Sequence, residues 1–386
     1  MTDVDRSKKQ EVLRRLRDNP YLTQQELADQ LGMTRSAIAA YIAQLTKEGE
    51  ILGRAYRFRE NRRFLCIGGA NIDRKIQSIG ALTLGTSNPS TMTETHGGVA
   101  RNVAENLARL GEPPILITAI GTDHDGEPLI HHLSSLGVHT HAIMRKETEH
   151  TGTYTAILDN QGDMVVACAD MAIYDAITVE DLRTRESVMR QAGAIIIDTN
   201  LRQDLIAYLI DFAKASMISL TIVPVSVPKA KHIPYDLQGV DHLIANRDEL
   251  YAIAYQHPAP EKDDESDHAS LLAACQIIAQ RGCQEVIITS GAKGVFAYDA
   301  STQTFSHLPA QQATIIDVTG AGDAFAAAYS YARFHGEKML FAIRFATEMA
   351  AITLATQETV ASRLTPELAR EFLMNCRKTI HEERQP

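Results

Sequence analysis

Asp317-Val318-Thr319-Gly320-Ala321-Gly322-Asp323, followed by the small apolar run 324–328, places the parts for one reaction side by side. Gly320 and Gly322 flank an alanine where a loop turns into a helix, so successive N–H groups can face outward without a Cβ in the way. Such groups, with the helix dipole behind them, hold an anion. Asp323 closes the loop where a hydroxyl attacking a bound phosphate would give up its proton. The stretch reads as a general base, Asp323, beside an anion hole made by Gly320, Ala321 and Gly322. Taken alone it leaves a second reading open, an aspartate capping a helix after a glycine turn.

A loop of this kind needs strands and helices to position it. From residue 64, strand-length apolar runs at 64–67, 114–119, 194–197, 220–223, 242–244 and 286–289 alternate with helical patterns at 99–110, 127–136, 201–215, 248–254, 269–281 and 323–334. That alternation predicts an α/β fold, a doubly wound and mainly parallel sheet. Ligands on such sheets lie at the carboxyl ends of the strands. Two regions break the rhythm, about 72–96 and 141–167, with hairpin-like strands that suggest a small β lid. A TIM barrel is disfavoured by that irregularity.

Polar or glycine-rich groups follow the apolar runs in order. They are Gly68-Gly69-Ala70-Asn71-Ile72-Asp73, Asp198-Thr199-Asn200, Asn246-Arg247-Asp248-Glu249 and Thr289-Ser290-Gly291-Ala292-Lys293-Gly294, with Gly97-Gly98-Val99-Ala100-Arg101-Asn102 opening a helix. Each alone is a turn or helix entry. As an ordered set from about residue 64 to the C-terminus they resemble the ribokinase, or PfkB, family of sugar and nucleoside kinases. The resemblance implies ATP as phosphoryl donor and Mg²⁺ as its companion. It makes Asp323 the base, and Gly320, Ala321 and Gly322 the anion hole. Asn246 and Glu249 would organise Mg²⁺ through water, and Thr289, Gly291 and Gly294 would lie along the nucleotide. Asn71, Asp73, Gly97, Gly98 and Asn102 would hold the substrate's hydroxyls. Asp317 and Thr319 match the position where family members often bind a monovalent cation such as K⁺.

Within the family, residues 69–73, Ser87-Asn88-Pro89, residues 97–102, Ala169-Asp170-Met171 and Pro224-Val225-Ser226 with Lys229 resemble the pseudouridine kinases. This adds Ser87, Asn88, Asp170 and Lys229 to the expected substrate contacts, and pseudouridine as the expected substrate, phosphorylated at its 5′-hydroxyl. Val223 stands where the family usually has an aspartate.

The first 60 residues follow a different pattern. Three short helical stretches, a Thr23–Glu26 capping box, a turn at Gly32 and a third helix from Thr34 precede an alternating basic tail, 53–59. This resembles a winged helix-turn-helix domain of bacterial regulators. Duplex DNA is then the expected partner, met by Arg35, Ser36, Tyr41, Gln44 and Lys47 of the third helix and by Arg54, Arg57 and Arg59 of the wing. Residues 1–63 carry 13 Lys/Arg against 9 Asp/Glu, whereas the rest carries 25 against 39, so a basic module is joined to an acidic one. A docking or dimerisation module is the alternative for this domain. For the whole chain it is a transcription regulator whose kinase-like part only senses a ligand, or a kinase for another sugar or nucleoside.

Among 386 residues no apolar run reaches membrane-spanning length, and the N-terminus is polar. The five scattered cysteines include no CxxC pair, which argues against a disulfide framework or a zinc site and fits a reducing cytoplasm. A homodimer is expected, since helix-turn-helix domains read paired half-sites.

Overall fold

The computed structural model describes residues 3–18, 22–51, 63–255, 264–310 and 314–382. It divides into two compact units, Met1–Arg62 and Arg63–Pro386.

In the first unit, helices Asp3–Asp18, Gln24–Leu31 and Arg35–Lys47 enclose a small core of Val12, Leu16, Leu27, Ala28, Ile38, Ile42, Leu45 and Ile51. Thr23 and Glu26 cap the second helix reciprocally, satisfying N–H groups that the first turn leaves without partners. Gly32 ends that helix in the left-handed region at φ 61°, and the Thr34 hydroxyl accepts the Ala37 N–H to start the next. The tail with Arg54, Arg57 and Arg59 lies outside the described residues.

The second unit is built on an eight-stranded sheet. In spatial order its strands are Ile115–Ile117, Arg63–Ile67, Ala192–Asp198, Ser219–Val223, His242–Asn246, Glu285–Thr289, Val295–Asp299 and Thr304–Leu308. The first six run parallel; Val295–Asp299 turns back antiparallel to them, and Thr304–Leu308 pairs antiparallel to it in turn. Alternate residues of one strand enter opposite cores, as the period of two requires. Ile195 and Ile197 pack against helices Gln203–Ser216 and Asp264–Gln280, Ala194 and Ile196 against Val99–Arg109, Ala321–Phe334 and Met339–Leu354. Both faces are covered, which is why these strands read as unbroken Ile/Val runs.

A second, four-stranded sheet has the order Ser90–Gly97, Asn71–Ser78, Thr153–Leu158, Met164–Asp170. This is the lid, with one correction to its expected bounds. Residues 141–152 do not belong to it. Met144–Lys146 pairs in parallel with Ala119–Gly121, because Ala142 and Met144 are drawn into the main core.

Candidate active site

Five parallel strands end on one edge of the main sheet, and their last residues line up in the strand order. Gly68-Gly69 follows the strand ending at Ile67, Asp198 ends the next, and then come Val223, Asn246 and Thr289. The buried Asp198 carboxylate ties this edge together. Its Oδ2 accepts the N–H groups of Gly69 and Ala100, each at 2.8 Å, and its Oδ1 accepts that of Asn200, also at 2.8 Å. Burial pushes its pKa up against the pull of those bonds. A Cβ on Gly68 would fall 2.3 Å from the Asp198 Cγ, and one on Gly98, at φ 95°, would fall 2.4 Å from the Gly69 carbonyl. Gly68 is therefore demanded by the Asp198 carboxylate, and Gly98 by the approach of helix Val99–Arg109 to the strand end.

That helix meets the anion-hole helix through one side-chain pair. Asn102 Nδ2 donates to Asp323 Oδ2 at 2.6 Å. The Arg101 guanidinium donates to Asn102 Oδ1, to the His96 carbonyl at 2.6 Å and to Glu105 at 2.5 Å. With its oxygen turned to Arg101, the Asn102 amide has only its NH₂ to offer Asp323. That bond occupies Asp323 Oδ2. Burial pushes the Asp323 carboxyl up to about 7; Asn102 and the Arg101 charge pull it down, and Asp198 and Asp73 add to the rise.

The two glycines of the anion hole differ. Gly320 sits at φ 79°, and a Cβ there would lie 1.9 Å from the Thr359 carbonyl, so the fold itself requires it. Nothing lies within 4 Å of a Cβ on Gly322. In the first turn of Ala321–Phe334 the Ala321 N–H donates to the Val318 carbonyl at 3.5 Å and the Ala324 N–H to the Gly320 carbonyl at 2.9 Å, so the N–H groups of Gly322 and Asp323, beside that open face, are the ones that can receive a phosphate-sized anion.

Asp73, on the lid strand, holds its carboxylate over Gly97, where a Cβ would lie 2.3 Å from an Asp73 oxygen, and it accepts the Asn71 amide at 2.6 Å. Burial raises its pKa. Asp170 pairs across from Thr153 at this same end of the lid. Lys229 reaches in from beyond Val223 and donates to Asn200 Oδ1; burial lowers its pKa. Ser87 and Asn88 are not brought here. The hairpin register pairs Asn71 with Gly97 and Ser78 with Ser90, so they sit at its far end, about 20 Å of strand away. The Asn88 side chain is spent on the Thr83 N–H and the carbonyls of Thr83 and Thr86.

Asn246 and Glu249 form a reciprocal cap. The Asn246 N–H donates to Glu249 Oε2 at 3.0 Å and the Glu249 N–H to Asn246 Oδ1 at 2.9 Å. Burial pushes the Glu249 carboxyl up to about 7, a carboxylate that a nearby divalent cation would stabilise. Thr289 and Gly291 border the next strand end, where Gly291 faces open space. Gly294 has a different duty, since a Cβ there would meet the Leu308 carbonyl at 2.1 Å. It lets the antiparallel strand pack.

The expected monovalent cation does not fit the carboxylate proposed to hold it. Asp317 Oδ1 accepts the Thr319 N–H and hydroxyl at 2.8 and 2.7 Å, and Oδ2 takes the Lys75 ammonium at 3.1 Å. Burial alone would raise this carboxyl, but those bonds outweigh it and hold it below the ordinary range.

Sequence reading passed over Lys75, the anchoring role of Arg101, and Tyr174, whose hydroxyl accepts the Ala70 N–H and donates to the Ala70 carbonyl. The signal for Lys75 was available, because it stands two residues after Asp73 on one strand face.

In the first unit, Arg35, Ser36 and Lys47 are exposed on the third helix. Tyr41 instead packs half-buried against the three-helix core, and Gln44 bonds Glu48 at 3.0 Å. Of the five expected groove contacts on this helix, those two are partly withdrawn.

This edge, with a carboxylate at a glycine-opened helix and a second carboxylate raised by burial, belongs to a phosphoryl-transfer enzyme of ribokinase-like α/β fold. Residues 61–366 match the pfkB family of carbohydrate kinases, and residues 5–51 match a winged helix-turn-helix DNA-binding family. The chain belongs to the pfkB family. It is 29% identical over 350 residues to the uncharacterised sugar kinase YeiI of Escherichia coli (strain K12), covering 91% of this chain and 94% of that one. It is 31% identical over 301 residues to the pseudouridine kinase of the same organism, covering 78% and 93%. A carbohydrate kinase from Agrobacterium tumefaciens superimposes with a TM-score of 0.68 at 29% identity, over 81% of this chain and 97% of that one.

Proposed function

We propose that this protein transfers the γ-phosphoryl group of ATP to the 5′-hydroxyl of a nucleoside, pseudouridine foremost. The observation that carries the reading is the Asn102–Asp323 bond at the mouth of the open Gly322 cradle. Asp73, with Asn71 behind it, and Asn102 fix the ribose hydroxyls, and Asp170 and Lys229 approach from the base side. The substrate's 5′-oxygen lies against Asp323 Oδ1. As that oxygen bonds to phosphorus, its proton passes to Asp323 and the bond to the ADP oxygen breaks. An alcohol is far too weak an acid to ionise beforehand, so the carboxylate acts only as the new bond forms. The N–H groups at Gly322 and Asp323 meet the charge on the transferred phosphoryl oxygens. Glu249 and Asn246 would hold Mg²⁺ through water, and the ion would neutralise the nucleotide phosphates when bound. Lid closure would keep water from competing with the substrate hydroxyl.

The preference for pseudouridine rests on the residue matches at 97–102, Asp170 and Lys229 and on the likeness to an enzyme of that name. A competition assay among pseudouridine, uridine, adenosine and ribose tests it. An adenosine or ribose kcat/KM about tenfold above that for pseudouridine, roughly 1.4 kcal/mol, moves the protein to another branch of the family.

A second role is favoured by the exposed Arg35, Ser36 and Lys47 beyond the Thr34 cap: binding of duplex DNA as a homodimer, in a reducing cytoplasm to which the free Cys66, Cys168, Cys275 and Cys283 are suited. The intact base and anion hole speak for a kinase that also binds DNA over a catalytically silent sensor.

A further inference from the structure

The lid carries a cation to the anion-hole loop. Asp73 and Lys75 are alternate residues of Asn71–Ser78 and so share one face of that strand. Arg74, between them, points the other way and fixes the strand's position through Glu94 at 2.9 Å and a two-pronged bond to Asp125 at 2.8 and 2.9 Å. With the strand so held, the Lys75 ammonium lies 3.1 Å from Asp317 Oδ2. Asp317 stands three residues before Gly320, and its Oδ1 is already filled by Thr319. An uncompensated carboxylate there would oppose the anion the loop is shaped to receive. The ammonium cancels that charge, and a free cation would have to displace it to reach Oδ2.

We infer that Lys75 is a positioning residue that serves as a tethered monovalent cation for the anion-hole loop, brought to Asp317 by the same strand that brings Asp73 to the substrate. The inference rests on the kinase reading. It makes phosphoryl transfer independent of K⁺ and couples the substrate-side strand to the phosphate-side loop. Removing the ammonium while keeping the side chain's length opens the place to a free ion.

The test uses full-length wild type and the Lys75→Met and Lys75→Arg variants, assayed with ATP, Mg²⁺ and pseudouridine in tetramethylammonium buffer, with K⁺ or NH₄⁺ added at constant ionic strength. Wild type and Lys75→Arg should change by less than about twofold on addition. Lys75→Met should lose on the order of tenfold or more in kcat/KM without K⁺ and regain most of it with K⁺ or NH₄⁺. A merely structural lysine would not give that rescue. Crystals grown with Rb⁺ supply a readout apart from activity: an anomalous peak beside Asp317 in Lys75→Met and none in wild type. A wild type activated by K⁺, an Rb⁺ peak at its Asp317, or a Lys75→Met variant indifferent to both changes overturns the inference. A wild type that phosphorylates no nucleoside or sugar defeats the kinase reading instead, and the Rb⁺ peaks still decide whether Lys75 holds the cation's place.

Discussion

Asn102 and Asp323 are 221 positions apart in the chain and 2.6 Å apart in the fold. Asn102 lies in the first turn of the helix that follows Gly97-Gly98, and Asp323 in the first turn of the helix opened by Gly320. Their bond fixes one carboxylate oxygen. It also partly offsets the burial that raises Asp323 to about 7.

That value sets the pH profile. The base works deprotonated, so kcat/KM should rise with pH through about 7 and level off above it, falling about tenfold per unit on the acid side. Asn102→Ala removes a bond that favours the charged form, so its inflection should move to higher pH. A profile flat from pH 5.5 to 8.5, or an Asn102→Ala inflection shifted downward, contradicts this assignment.

The two loop glycines should separate folding from catalysis. Gly320→Ala forces a Cβ onto the Thr359 carbonyl at positive φ and should cost at least about 2 kcal/mol of stability, read as a lowered Tm. Gly322→Ala meets no protein atom, so Tm should hold while kcat/KM falls about tenfold or more. Thermal unfolding and initial rates on both variants check the pair, and an equal loss of Tm in both contradicts the cradle.

Much of this was legible beforehand, for a physical reason. Glycines at a loop-to-helix turn, a carboxylate at its end and polar groups after apolar runs are local features, and a chain displays them in order. The parallel sheet followed from its alternation of elements. What stayed hidden depends on contacts distant in sequence. Lys75 meets Asp317 across 242 positions and Asp198 meets Gly69 across 129, and neither pairing leaves a periodic trace. Ser87 and Asn88 were assigned from resemblance alone, and the hairpin register shows how far a match can lie from the site's edge. The strands Val295–Asp299 and Thr304–Leu308 went unread because neither carries an Ile/Val run: the first is buried but reads Val-Phe-Ala-Tyr-Asp, and the second is the half-exposed edge of the sheet.

The helix-turn-helix unit should bind duplex DNA with affinity that falls as salt rises. Arg35→Ala should weaken a specific site by about 1–3 kcal/mol, whereas Lys47→Ala should weaken all sequences alike and reduce the salt slope by about one. Shift assays with the full-length protein on genomic fragments measure both. Failure to shift any fragment at low salt, with and without pseudouridine, leaves a docking module.

The central claim is that Asp323 is the base of a nucleoside kinase, and the most direct measurement compares wild type with Asp323→Asn. Steady-state kinetics with ATP, Mg²⁺ and pseudouridine, following the 5′-monophosphate by mass spectrometry, should show turnover by wild type. The variant should lose on the order of 10² to 10⁴ in kcat while KM changes little. Near wild-type turnover by Asp323→Asn, or no monophosphate from wild type with pseudouridine, uridine, adenosine or ribose, would contradict it.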